Sequence, residues 1–192
     1  MSTQLFINAH IATGMPGSTA AETTAIQDIL VEDGKFISIA PNFKATLEAQ
    51  GKDMASVEVV DLGGKLVCPP FCDTHLHLDY VFTARKPGAV NESGTLFEGI
   101  QRWSETKADL TVDEIKERAK IGIAKEMRHG VQFIRSHADV TDPNLTSLKA
   151  LLELKEELKD TVTLQIVSFP QEGMYSYEGP HGESGADWLR KA

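Results

Sequence analysis

The sequence predicts an α/β protein. Strand-like apolar runs alternate with amphipathic helical segments from residue 66 onward. Helix-start signals stand between those runs, and a β-rich stretch precedes them. Alternation of this kind implies parallel strands joined by crossover helices, each pair forming a βαβ unit.

Within residues 4–61, Leu5, Ile7, Ala9 and Ile11 alternate with Gln4, Phe6, Asn8 and His10, the period of a half-buried strand. Ile29–Val31 faces Phe36–Ile39 across Glu32-Asp33-Gly34, a hairpin signal because Asp-Gly tolerates positive φ. Residues 40–56 read as a polar connection. Val57, Val59 and Leu66–Val67 resume strand character around a break at Gly63-Gly64, and Leu66–Leu78 reads as one strand. Leu96, Phe97, Ile100 and Trp103 mark a first helix. Thr111 and Glu114 fit a capping box, after which Ile115, Ala119, Ile123 and Met127 recur every fourth residue until Gly130. Val131–His137 is the next strand. Asp142-Pro143 predicts an N-cap and an N1 proline, with Leu145, Leu148, Leu152 and Leu158 on the face of a helix reaching Lys159. Val162–Phe169 is a third strand, stopped by Pro170. Ser184 to Asp187 opens one more helix.

Composition narrows the function. Lys+Arg total 19 against 28 Asp+Glu, a net charge of −9. No nucleic-acid partner is expected, because phosphate binding needs a basic face. Hydrophobic residues make up 41% of the chain, enough to bury a core rather than leave it disordered. Apolar runs stop at three residues, so no membrane-spanning helix is expected. Met1 to Asn8 lack the basic and apolar blocks of a signal peptide, and Cys68 and Cys72 form no disulfide framework. A cytoplasmic location is the expectation.

The chemistry centres on His75-Leu76-His77 at the end of a strand. Residues i and i+2 of a strand share a face, so Asp73, His75, His77 and Asp79 point one way and Cys72, Thr74, Leu76 and Leu78 the other. Two imidazoles with nearby carboxylates make a partial metal site; the plainer alternative is a pair of satisfied core histidines. Strand C-terminal ends are where α/β folds keep their sites, which favours the metal. A structural zinc cluster of Cys68, Cys72, His75 and His77 conflicts with strand parity and with the stiffness of Pro69-Pro70. His181-Gly182-Glu183 matches half of the zinc nucleobase deaminase pattern, but the cysteines lie upstream and three residues apart, so that reading fails.

The run from Asp61 through Pro69-Pro70-Phe71-Cys72-Asp73-Thr74-His75-Leu76-His77-Leu78-Asp79 resembles the entry motif of the amidohydrolase superfamily. Pro70, where the broad family has glycine, is shared with its cytosine deaminase branch. Ser93-Gly94-Thr95-Leu96-Phe97-Glu98-Gly99-Ile100 with Arg102-Trp103, Arg135 to Asp139, and Phe169-Pro170-Gln171-Glu172-Gly173 resemble further segments of that branch, in order.

The resemblance implies a partial (β/α)8 barrel of about three βα units, preceded by part of a small β-sandwich. Residues 1–65 would be the N-terminal part of the sandwich, and 66–192 the first three strands and helices of the barrel. It implies that His75 and His77 are two ligands of one divalent metal, Fe2+ or Zn2+. Gln171 would hydrogen-bond the amide edge of a pyrimidine, the alternative being a strand-end turn residue. Leu96 would contact the base, with a helix-face core role as the alternative. His137 and Asp139 receive no ligand role, and Glu172 would point away from Gln171 and is no candidate general base. The implied reaction is hydrolytic deamination of cytosine to uracil and ammonia; creatinine, isoguanine or a triazine are alternative rings, and a non-catalytic binding or scaffold module is an alternative of another class. Partners would be a small nucleobase, with a homo-oligomer open for the full-length protein. The family's acid/base and its remaining metal ligands lie on later strands, so no catalytic residue is assigned here. A complete barrel takes about 250 residues, so the expectation is an N-terminal portion, inactive alone.

Overall fold

The structure is a computed structural model that describes residues 2–11 and 25–192; of the β-rich stretch, residues 12–24 lie outside those described. The chain divides into two compact units, Met1–Pro69 and Pro70–Ala192.

The first unit is one five-stranded sheet. Strand β1 (Thr3–Ile11) lies centrally, antiparallel to β2 (Ile26–Glu32) and parallel to β4 (Glu58–Asp61) and to the short β5 (Leu66–Val67). Strand β3 (Lys35–Ala40) closes the hairpin with β2. Asp33 and Gly34 both take positive φ, 48° and 76°, the geometry of the primed turn that matches strand twist. Leu5 and Ala9 are fully buried, as the alternation requires.

Residues 40–56 are not a plain connection. They contain helix α1 (Phe43–Ala49), whose Leu47 packs with Leu5, Leu30 and Val57. Its N-cap Asn42 makes no side-chain cap. Asp28, buried on β2, instead accepts from Lys44 N at 3.1 Å and from Asn8 N at 3.2 Å, tying helix start and β1 bulge to one carboxylate. No second sheet of a sandwich is found among the described residues of this unit.

The expected single strand Leu66–Leu78 is two. Pro69-Pro70 removes two backbone donors, so β5 ends at Val67 and β6 (Phe71–Leu76) begins the second unit. There a three-stranded parallel sheet runs β6, β7 (Val131–Asp139), β8 (Thr163–Phe169), with β7 in the middle. Helices α2 (Leu96–Lys107) and α3 (Val112–Arg128) cross from β6 to β7, α4 (Thr146–Glu157) crosses from β7 to β8, and α5 (Gly185–Lys191) follows.

The Thr111/Glu114 capping box forms with both hydrogen bonds, and Ile115, Ala119 and Ile123 are buried with Leu151 and Leu154. Helix α4 starts later than expected. Asp142 does not sit at its N-cap; its carboxylate accepts from Asn144 N at 3.0 Å and Thr146 N at 2.6 Å, holding a turn that delivers the chain to Leu145, the cap at φ 51°. The inward face is Leu148, Leu151 and Leu154, and Leu152 is 45% exposed. Helices cover one face of this sheet. On the other, a groove of about 220 Å³ is lined by Cys72, Thr74, Phe133, Arg135 and Gln165. No helix among the described residues is long and apolar enough to cross a membrane.

Candidate active site

Parallel strands deliver all three of their C-terminal ends to one side, and the site residues follow from that. Leu76 pairs with Ser136 and Asp139 with Phe169, so the segments after β6 and β8 flank the end of β7.

Three imidazoles meet there. His75 and His77 lie with ring centroids 5.3 Å apart, and His137 stacks on His75 at 4.2 Å. The parity expected for residues 73–79 holds only to the strand end. Asp73 does not join the imidazoles; its carboxylate accepts from His75 N at 2.9 Å. Beyond Leu76 the chain turns inward, and both Leu78 and Asp79 are fully buried. Asp79 comes no nearer than 3.9 Å to His77 Nδ1; its carboxylate accepts from Asp139 N at 2.8 Å and Tyr80 N at 3.1 Å.

Burial, with His75 and His137 beside it, holds the His77 pKa down at about 4, and burial lowers His137 likewise. Both rings are therefore neutral at pH 7, the form a metal ligand requires. The Nδ1 atoms of His77 and His137 are buried without a hydrogen-bond partner among the described residues, a costly state for groups that nothing else engages. His77 thus fits a divalent metal as part of a ligand set, with the His75 ring 5.3 Å away beside it. The pair is not a complete set: no three His, Cys, Asp or Glu side chains among the described residues are placed to hold an ion.

Behind the imidazoles sits a charged network. Burial raises the Asp79 pKa to about 7, reinforced by the Asp139 carboxylate. Asp139, 1% exposed, accepts from Trp103 Nε1 at 2.8 Å and Lys107 Nζ at 3.0 Å on one oxygen. Its other oxygen takes Thr141 N and Gln171 N, at 2.8 and 3.3 Å. Lys107 also meets Glu172, and burial is outweighed by the two carboxylates, so its pKa stands above the usual lysine value. Glu172 is thus engaged with Lys107 and with Ser104 Oγ at 2.8 Å.

In front lies a pocket of about 330 Å³, whose walls include Tyr80, Asn91, Leu96, Ile100, Trp103 and Gln171. The size is at the small end for ligand sites. Gln171 Oε1 is buried and unpaired among the described residues. Leu96, on the first turn of α2, walls the pocket and is 73% exposed, where the core alternative would bury it; Phe97 beside it is 82% exposed. Tyr80 joins pocket to imidazoles, its ring 4.6 Å from that of His77 and 5.0 Å from that of Trp103.

Tyr80, Asn91, His137 and Lys107 were not singled out as site residues by sequence. The signal for Lys107 was present: it continues the Ile100, Trp103 face of α2 at helical spacing. The signal for Tyr80 was its place directly after the His-x-His-x-Asp run.

The family model described as "Amidohydrolase family" matches residues 58–192. The chain belongs to the amidohydrolase family. Among solved structures, this amidohydrolase chain is similar to 5-methylcytosine deaminase from Klebsiella pneumoniae liganded with 5-fluorocytosine. The TM-score is 0.78 and the identity 37%, over 97% of this chain and 40% of that one. Its mixed α/β fold is therefore of the cytosine deaminase kind. Among curated relatives, N-isopropylammelide isopropyl amidohydrolase of Pseudomonas sp. (strain ADP) is 30% identical over 81% of this chain and 37% of its own length. A pterin deaminase of Rhizobium rhizogenes is 28% identical over 77% of this chain and 32% of its own length. The chain spans about two-fifths or less of the length of each of these three proteins.

Proposed function

We propose that this amidohydrolase chain provides the first metal-binding strand and the base-reading pocket of a hydrolytic deaminase acting on cytosine-type rings, built on the first three βα units of a (β/α)8 barrel. The observation that carries the reading is Tyr80: one side chain stacks on His77 and, together with Gln171, walls the pocket.

His75 and His77 would hold the metal, and burial already keeps the His77 imidazole neutral. When bound, a divalent ion, Fe2+ or Zn2+, supplies activated water near neutral pH. Gln171 offers one acceptor and two donors, the match for the amide edge of a pyrimidine. Tyr80 and Trp103 present aromatic walls to a flat ring, and Leu96 shields the mouth. Asp79, Asp139 and Glu172 are spoken for by hydrogen bonds or by Lys107. None of them is open to act as general acid/base, so this chain alone turns over no substrate.

The test replaces the matching segment of the Klebsiella 5-methylcytosine deaminase with this chain. Metal-loaded chimera should release ammonia from cytosine or 5-methylcytosine, and His77→Ala should abolish it. A folded, metal-loaded chimera inert toward both rings overturns the reading. The identity to the isopropylammelide enzyme supports a second reading, C–N hydrolysis on a triazine ring. Turnover of N-isopropylammelide with none of cytosine would select it.

A further inference from the structure

Lys107 has no part in the proposed chemistry, yet it is the most heavily engaged cation of the second unit. Its side chain is 10% exposed, and its ammonium bridges two carboxylates from two strand ends, Asp139 closing β7 and Glu172 following β8. It also donates to Thr141 Oγ1 at 2.9 Å. Both carboxylates act on the same turn. Asp139 accepts the backbone N–H of Gln171 at 3.3 Å, and Glu172 is the next residue, pinned again by Ser104 Oγ. Gln171 is therefore held on both sides by groups that Lys107 neutralises. Without the ammonium, two carboxylates confront each other in a desolvated corner, and such partners separate or take up protons. The exposed route to relief is movement of the 170–172 turn, because Asp139 is fixed by Trp103 and Thr141.

We infer that Lys107 is a positioning residue for base recognition: its bridge draws the ends of β7 and β8 onto α2 and thereby aims Gln171 into the pocket. The recognition half of this rests on the proposed role of Gln171; the positioning half does not.

The experiment uses the 15N-labelled 192-residue chain, with 5-fluorocytosine as probe. The comparison is Lys107→Met against Lys116→Met, since Lys116 bridges Glu153 and Glu157 between α3 and α4 with its side chain 14% exposed. In Lys107→Met, the Gln171 and Glu172 amides should exchange at least ~10-fold faster relative to the core amides of Ile134 and Leu151. The 5-fluorocytosine shift of the Gln171 side-chain amide should vanish as well. Lys116→Met should single out neither residue. A Gln171 exchange rate in Lys107→Met within ~2-fold of wild type, measured against the same core amides, overturns the proposal, whether or not the probe binds. Faster Gln171 exchange in a chain that never responds to 5-fluorocytosine upholds the positioning and overturns the nucleobase reading instead. If Lys107→Met does not fold, Glu172→Gln takes its place: at least ~3-fold faster Gln171 exchange supports the bridge, and an unchanged rate overturns it.

Discussion

Trp103 serves two environments with one side chain. Its ring walls the pocket, while its Nε1 donates to a buried carboxylate. A hydrogen bond to a charged group is worth about 1.5–3 kcal/mol, so Trp103→Phe should lower the stability of the second unit by about 2 kcal/mol, read as a shift in urea midpoint. A shift below about 0.5 kcal/mol would mean that Lys107 and Thr141 satisfy Asp139 without it. Glu98 does comparable work in the first turn of α2. Hydrogen bonds from Ser93 and then Glu92 hold its pKa at about 2, below the ordinary glutamate value of 4.5. A depressed carboxylate stabilises the fold fully above its unfolded pKa and loses that contribution as pH falls toward the folded one. The Ser93 amide resonance should therefore titrate near pH 2, and Glu98→Gln should erase that step. Persistence of the step in the variant would assign it to another group.

Among elements, α5 shows how tightly a short helix can be specified. Ser184 and Asp187 form its capping box, and Ala186 N donates to Met174 O at 3.0 Å. A Cβ on Gly185 would lie 2.1 Å from Gly173 O. Gly185→Ala should thus undock α5 from the loop after β8, at a cost of about 1–3 kcal/mol. The readout is Trp188, 6% exposed in the fold, whose emission should move to the red; unchanged emission would show that the loop yields instead. The Thr111/Glu114 capping box and the helix start at Ser184 were legible in the sequence, because each signal lies within residues three apart. Asp142 was misread because an aspartate can cap a helix or a turn with the same oxygen atoms. Helix α1 was missed because its restraint comes from Asp28, on a strand before it in the chain. On the leucine face of α4 only Leu152 was misplaced: Leu148 is buried and Leu145 and Leu158 pack against the core, while Leu151 and Leu154 fill the face between them.

At the scale of the whole molecule, the site was legible where it is local. His75 and His77 are two residues apart and announce themselves. Leu96 and Gln171 needed the family resemblance to be singled out, and the pocket contains both. His137 reaches the site only through the parallel pairing of β7 with β6, which periodicity does not reveal. That pairing also sets an order of events. Strands β7 and β8 are joined across residues 140–162, whereas β6 and β7 are joined across residues 77–130, more than twice the span. Closing the longer connection costs more chain entropy and slows the contact that depends on it. In refolding, amides of β7 and β8 should gain protection before those of β6, as pulse-labelled hydrogen exchange would record; simultaneous protection would show a single concerted nucleus. The histidine strand is then the last to arrive, so the chain assembles its helix-backed sheet before it acquires the means to capture an ion.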